Sequence, residues 1–371
     1  MKALVLTSAL ALGAIWVGYP LVIAALAATR RARRAAPGAR PSVTVVIATR
    51  DDAATVRRRV ENALASAYDP ALLDVVVALD AAGSAVQPSE LADLGGRVTI
   101  VAGDAPGGKA SALNAGVRAA GGEVLVFGDT HQLFHPDAVA HLVDALAEPG
   151  VAAASGCLVV DGHGGPPTLA DRYWRYETWL RENEALVHST VGVSGAIYGM
   201  KAPLWRALPA GLILDDVYGP MSLVLRGHRV GFVRAAKAVE VRRFQPQQEY
   251  RRKARTLTGN LQLCAWLPGV LVPVRNPIWL QFVCHKLARL ATPYLALAVA
   301  LGALVLGARA LGDALPAALL GVALAVGLLM AARPSLRRRA GHLIAWGVAL
   351  QAAVVVATFN GLRGRWDVWQ R

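Results

Sequence analysis

Asp129 closes the apolar run Glu123 to Phe127 and is followed by Thr130 and His131. An acid at the C-terminal tip of a strand suits a metal-bound phosphate: a carboxylate beside a diphosphate is repelled unless a cation lies between them. Mg²⁺ or Mn²⁺ fits such oxygen ligands best. Two more acids follow apolar runs of the same kind, Asp51 after VTVVIA (43–48) and Asp80 after DVVVAL (74–79). Either can hydrogen-bond a base or a ribose, and Asp51, Asp52 and Asp80 can equally serve as helix caps or turn residues, as Asp often does. In GGKASALNAG (107–116) the glycines permit a close turn, Lys109 can face phosphate and Asn114 can hydrogen-bond within or beside a site. The segment lacks the full GxxxxGK[ST] pattern and gains its value from position. Downstream come the acid pair Asp215-Asp216, which could cap a helix over Val217 to Arg226, and the basic run RRKART (251–256).

These residues need a frame that brings them together. VTVVIA, DVVVAL, RVTIVA (97–102) and EVLVF (123–127) are short β-branched runs of the kind that form buried parallel strands. Asp52 to Ala67, Lys109 to Ala119 and Pro136 to Ala147 read as the helical crossovers between or after them. The expectation is an α/β domain with a Rossmann-like, mostly parallel sheet over residues 41–260, and ligands at the carboxyl ends of its strands.

Flanking composition adds a membrane. The 371 residues are 55% hydrophobic, and the mean hydropathy of +0.41 is too high for an ordinary soluble enzyme, while the middle is too charged for a pure transporter. Residues 3–29 are nearly uncharged and long enough to span a bilayer. Arg30, Arg31, Arg33 and Arg34 follow it, whereas a cleaved signal peptide carries its basic cluster in front. An anchor over residues 1–34 with a cytoplasmic basic flank is therefore expected, with the following domain in the cytoplasm at the inner face of the cell membrane. Residues 261–288 read as an interfacial segment and 289–371 as a membrane region, with spans near 289–309, 314–332 and 341–360. Arg333, Arg337, Arg338 and Arg339 mark a cytoplasmic loop. Three such crossings leave the tail outside, against the preference of Arg363, Arg365 and Arg371, unless one stretch is re-entrant or interfacial. The net charge of +14 belongs to these membrane flanks and argues against a nucleic-acid partner. Cys157, Cys264 and Cys284 have neither metal-ligand spacing nor a disulfide framework.

Taken in order, VIATRDD (46–52), GKASALNAG (108–116), FGDTHQLFHPDAV (127–139), GVSGAIYGM (192–200), LDDVYGP (214–220), EYRRKARTLTGN (249–260) and NPIWLQFVCHKLARLATP (276–293) resemble a membrane-associated family 2 glycosyltransferase of GT-A fold. That group includes exopolysaccharide synthases and is related to ceramide glucosyltransferases. The resemblance implies a single-displacement, inverting transfer from a nucleotide sugar, most often a UDP sugar, to a lipid or glycan acceptor. It places Thr49, Asp51, Asp80, Lys109 and Asn114 at the nucleotide, Asp129 and His131 at a divalent cation, and Asp216 as general base. Gly195, Tyr198, Asp215, Arg252 and Arg255 fall at the acceptor or the diphosphate.

Two positions depart from the family pattern. His131 stands where the metal motif commonly ends in Asp, and His suits Mn²⁺ less well than a carboxylate does. In the Gln-x-x-Arg-Trp motif Arg255 is kept, but Arg252 replaces the glutamine and Thr256 the tryptophan. The missing tryptophan weakens the case for long processive synthesis. Three readings follow: a polysaccharide transferase, with export partners because about four spans make a channel from one chain less secure; a synthase adding one sugar to a glycolipid; and an inactive scaffold that keeps the fold. Trp174, Trp179 and Trp205 could stack on sugar or simply pack.

Overall fold

The computed structural model describes residues 1–30, 39–160, 169–241 and 246–367. The chain begins with α1 (Lys2–Gly13) and α2 (Tyr19–Ala28), joined through a π-turn at Ala14–Gly18 into one continuous helix. The sheet-bearing half then runs β1 (Val43–Thr49), α3 (Ala53–Leu64), β2 (Leu73–Leu79), β3 (Val98–Ala102), α4 (Lys109–Ala119), β4 (Val124–Phe127), β5 (Gln132–Phe134) and α5 (Ala138–Leu146). It continues with β6 (Val151–Val160), α6 (Leu169–Val187), β7 (Tyr198–Lys201), α7 (Asp215–Val224) and β8 (Arg229–Glu240). The last part is helical: α8 (Pro246–Trp266), the short α9 (Trp279–Phe282), α10 (Thr292–Leu311), α11 (Leu315–Ala332) and α12 (Pro334–Leu362).

One sheet carries the site, with strand order β3-β2-β1-β4-β7-β6-β8-β5. The first four strands are parallel, β7 runs antiparallel to both β4 and β6, and β5 runs antiparallel to β8. The four parallel strands are the four apolar runs, and β1, β2 and β4 are buried along nearly their whole length, as strands covered on both faces must be. One core packs β1 and β2 against α3 and α5 through Val45, Ile47, Val56, Val60 and Leu142. The other packs the opposite face against α4 and α7 through Val46, Leu113, Met221 and Leu223. Both α3 and α4 are amphipathic, so each commits one face to the sheet. Asp52 caps α3, accepting from Thr55 N–H at 2.9 Å and from the Thr55 hydroxyl at 3.1 Å, which is the helix-cap role open to it from sequence.

Among the described residues two helices are long and apolar enough to cross a membrane, Lys2–Ala28 and Trp279–Ala314, while Leu319–Ala332 and Gly347–Leu362 are shorter apolar helices. The basic residues Arg31, Arg33, Arg34 and Arg371, used to orient the spans, lie outside the described residues. The helical region is closely built: a Cβ on Gly302 of α10 would stand 2.3 Å from Val5 of α1, and one on Gly361 of α12 would stand 2.4 Å from Leu261 of α8. Small residues at such crossings let helix backbones approach.

A buried polar network ties these helices to the sheet domain. Glu184 Oε1 accepts from Tyr19 Oη at 2.5 Å and pairs with His285 Nδ1 at 2.8 Å. The other ring nitrogen, Nε2, lies 3.0 Å from Glu177 Oε2, and Arg289 reaches Glu177 Oε1 at 2.5 Å. Burial alone would push the Glu177 carboxyl up, but His285 and Arg289 outweigh it and hold it well below the carboxylate range. The first helix, α6 and the segment entering α10 are thus joined through charge-assisted hydrogen bonds. The three cysteines are free.

Candidate active site

The carboxyl ends of β1, β2 and β4 converge as expected of a parallel sheet. At the end of β2, Asp80 accepts hydrogen bonds from Ala82 N–H at 2.9 Å and Gly108 N–H at 2.7 Å through Oδ1, and from Arg50 Nε at 2.6 Å through Oδ2. Burial would raise its pKa, yet the backbone donors and Arg50 hold it below the usual value. Asp80 is therefore a turn-holding anion as well as a nucleotide candidate. It fastens the glycine loop before α4, where Gly107 and Gly108 have φ of 91° and 93° and a Cβ on Gly107 would stand 2.5 Å from Ala82 N.

At the end of β1, the Thr49 hydroxyl accepts from Asp51 N–H at 3.0 Å and from the Thr130 hydroxyl at 3.0 Å. His131 Nε2 stands 3.0 Å from Asp51 Oδ1. These bonds sew the tips of β1 and β4 together. Beneath them Arg59, fully buried on α3, donates through Nε to the Asp129 carbonyl at 3.3 Å and lies over the Phe134 ring at 3.8 Å. It positions the strand end without touching the Asp129 carboxylate, and nothing in the sequence singles it out from its neighbours Arg57 and Arg58.

Lys109, the first residue of α4, is the centre of the site. Its Nζ lies 2.8 Å from Asp129 Oδ1 and 3.3 Å from Asp215 Oδ2. Burial works against its charge, but Asp129 and Asp215 raise its pKa well above the ordinary value. The contact to Asp215 is an ion pair without hydrogen-bond geometry, and that buried oxygen has no hydrogen-bond partner. Asp216, the next residue of α7, makes no ion pair among the described residues. Burial, then the neighbouring Asp215, pushes its carboxyl up to about 6. Gly195 borders it directly: a Cβ there would stand 3.3 Å from Asp216 Oδ2 and 3.7 Å from Lys109 Nζ. Arg255 on α8 belongs to the same group, with Asp216, Asp215 and Asp129 as its main opposing charges.

Residues 44–205 match the family model described as Glycosyl transferase family 2. The chain carries a family 2 glycosyltransferase domain. The whole chain also aligns with mannosyltransferase PcManGT from Pyrobaculum calidifontis, solved with GDP-Man and Mn²⁺, at 23% identity and a TM-score of 0.70, covering 98% of this chain and 99% of that one. The fold is GT-A. Glucosyl-3-phosphoglycerate synthase from Mycobacterium tuberculosis, solved with Mn²⁺ and UDP-Glc, aligns at 17% identity over 66% of this chain and 83% of that one, with a TM-score of 0.44. No curated protein matches the sequence significantly.

Within the glycosyltransferase domain the expected residues separate into those at the site and those behind it. Thr49, Asp51, Asp80, Lys109, Asp129, Gly195, Asp215 and Asp216 line one edge of the sheet. Arg252 and Arg255 stand on α8, which follows it. Asn114 points elsewhere: its amide donates to the Leu208 carbonyl at 2.9 Å and accepts from Leu208 N–H at 2.8 Å. It clamps the loop before α7, with both polar atoms of its amide engaged there. Asn114→Ala should accordingly cost about 1–3 kcal/mol of stability through two stranded backbone groups. Nucleotide affinity should be intact, which chemical denaturation and calorimetry on one preparation would check. Tyr198 is core, 2% exposed and stacked on Phe127 with centroids 4.7 Å apart; Trp205 stacks on the same ring at 5.2 Å. Trp179 packs beside Tyr19 and Leu180, and Trp174 lines a small pocket together with Ser194.

The donor set fits a divalent cation shared with a ligand. Among the described residues no three His, Cys, Asp or Glu side chains gather into a metal cage. Asp129 offers a carboxylate 39% exposed at the strand tip, and Asp215 Oδ2 is an unsatisfied hard oxygen close by on the far side of Lys109. Mg²⁺-type sites commonly use one or two carboxylates and complete their shell from substrate phosphates and water. His131 is turned to Asp51 instead.

Proposed function

We propose that this protein is a membrane-embedded inverting glycosyltransferase, moving a sugar from a nucleoside diphosphate donor to a lipid or glycan acceptor at the cytoplasmic face of the cell membrane. The carrying observation is the division of labour among the acids: Lys109 is paired with Asp129 and Asp215, while Asp216 forms no ion pair among the described residues and is raised to about 6. A carboxylate of that kind suits a general base for an acceptor hydroxyl, whose proton must leave as it attacks the anomeric carbon. Lys109 and Arg255 would face the diphosphate, while Thr49, Asp51 and Asp80 would hold the nucleoside. A divalent cation held by Asp129 would offset charge developing on the departing nucleoside diphosphate. Among donors, UDP sugars follow from the family resemblance, and the GDP-Man bound by PcManGT adds GDP sugars.

The base assignment carries a pH signature. Below about pH 6, kcat/KM should fall about tenfold per unit as Asp216 takes up its proton, with a plateau above. An acid limb near pH 4, or none, would remove Asp216 from that role.

Between the acceptor readings, one observation favours the single-sugar glycolipid synthase. Thr256 is exposed on α8 and turns its hydroxyl back to the Arg252 carbonyl at 2.9 Å, where the polymerising pattern has a tryptophan. Product analysis of Thr256→Trp tests it. Longer products from the variant support the reading, and unchanged product length removes the missing aromatic as its ground.

A further inference from the structure

The rim between β1 and β2 carries a cation that the transfer chemistry leaves unused. Arg50 directly follows β1, and its backbone is fixed against the end of β2: Asp80 N–H donates to the Thr49 carbonyl at 3.0 Å and Ala85 N–H to the Arg50 carbonyl at 3.3 Å. The side chain is held at one point. Its Nε donates to Asp80 Oδ2 at 2.6 Å, and among the described residues the guanidinium makes no other hydrogen bond or ion pair. Because the Arg50 side chain is 52% exposed, its Nη1 and Nη2 donors are left for a ligand.

Asp80 is in the opposite condition. Its side chain is only 4% exposed, with Oδ1 taken by the Ala82 and Gly108 N–H groups and Oδ2 by Arg50. The carboxylate that could accept the N3–H of a uracil is thus covered by a guanidinium, and a base at this end of the sheet meets donors instead. In the transferase reading a base does lie there. Asp80 and Asp129 end strands separated by β1, two strand spacings or about 10 Å apart. A diphosphate at a cation on Asp129 therefore sends its nucleoside along the rim toward Arg50. Ala81, Ala82 and Gly83 continue that rim as small exposed residues, and nothing lies within 4 Å of a Cβ on Gly83, so the rim has room for a purine.

We propose that Arg50 reads the nucleobase of the donor and makes this a guanine nucleotide site. The inference rests on the transferase reading given above and narrows its donor to a GDP sugar. A guanidinium anchored through Nε presents two parallel donors, and guanine answers them with two adjacent acceptors, O6 and N7. Uracil sets O2 and O4 on either side of N3–H, so one fork cannot take both. Adenine places its N6 amino group beside N7, and cytosine its N4 amino group beside N3, each opposing a donor to a donor.

The test is binding of GDP, UDP, ADP and CDP with Mn²⁺ to the full chain in nanodiscs, with 7-deaza-GDP and Arg50→Lys alongside. GDP should bind about tenfold more tightly than each of the other three, within the discrimination that a bidentate base contact gives. Lacking only N7, 7-deaza-GDP should forfeit most of that advantage. Arg50→Lys keeps a charge for Asp80 but loses the fork, so it should bind GDP and 7-deaza-GDP within about twofold of each other. Equal affinity for GDP and UDP, a preference for UDP, ADP or CDP, or an N7 effect that survives in Arg50→Lys overturns the assignment. Binding of pyrophosphate with Mn²⁺ involves no base and reports that the variant is folded; the 7-deaza-GDP comparison in the wild type stands even if it is not. A wild type that binds neither nucleotide nor pyrophosphate sinks the transferase reading, whereas one that binds all four nucleotides alike sinks the base assignment alone.

Discussion

Asp216→Asn should lower sugar transfer by about 10²–10⁴-fold, the range a positioned general base contributes. Donor affinity should stay within about twofold, because Lys109 keeps its ion pairs with Asp129 and Asp215, and neither involves the Asp216 carboxylate. The variant should also be more stable than the wild type at neutral pH. A carboxyl whose pKa is raised from 3.8 to about 6 on folding takes up a proton in that window, so the native state loses stability as pH rises through it and does not regain it above. Two pKa units correspond to about 3 kcal/mol at most. Asp216 keeps some solvent contact that screens part of this, leaving a gain of about 1 kcal/mol for the amide at pH 7.5. At pH 4 the two proteins should differ little. Reduced transfer together with a higher melting temperature at neutral pH is the signature of a strained base. A loss of both would instead mean that Asp216 holds α7 in place.

Asp129→Ala should raise the Kd for the nucleoside diphosphate by about 10–100-fold in the presence of Mn²⁺, the scale on which metal-site residues act. It should also abolish the difference between Mn²⁺ and chelator. The local backbone is expected to survive, because Arg59 and the β4 pairing hold the strand end through groups other than that carboxylate. Lys109 would retain Asp215 as a partner, so a general collapse of the site is not the expected cause of any loss. Titration calorimetry with and without Mn²⁺ decides it. Equal affinity with and without metal in the wild type, or an unaltered metal effect in the variant, would remove Asp129 as the cation's ligand.

The parallel half of the sheet was readable because each strand is a short β-branched run that ends in an acid or glycine turn, and each crossover helix has a clear apolar face. The strands observed at Val43–Thr49, Leu73–Leu79, Val98–Ala102 and Val124–Phe127 differ from the expected runs by a residue at most. The mixed half, β7-β6-β8-β5, was not readable. β6 begins VAAASG, a sequence of weak strand preference, and β5 has only three residues, so both depend on partners distant in sequence. The site shows the same split. Residue type and position at strand ends pointed to Asp51, Asp80, Lys109 and Asp129, and their convergence is a property of the sheet. Asn114 was the right type for a ligand, yet its partner Leu208 lies 94 positions away and is a backbone group, which leaves no trace in sequence. His285 joins Glu177 and Glu184 across 108 and 101 positions for the same reason. The ring of Tyr198 was lost to the core because Phe127 and Trp205 complete a stack that only the fold assembles.

The measurement closest to the central claim is nucleoside diphosphate release from a panel of UDP and GDP sugars by the purified full chain in native lipid, with Mn²⁺ or Mg²⁺, and with Asp216→Asn alongside. Release by the wild type from at least one donor, lost on chelation and lost in the variant that still binds that donor, is the predicted result. Release that is equal in wild type and Asp216→Asn, or no release from a donor that binds in the presence of its native lipid extract, would contradict the account.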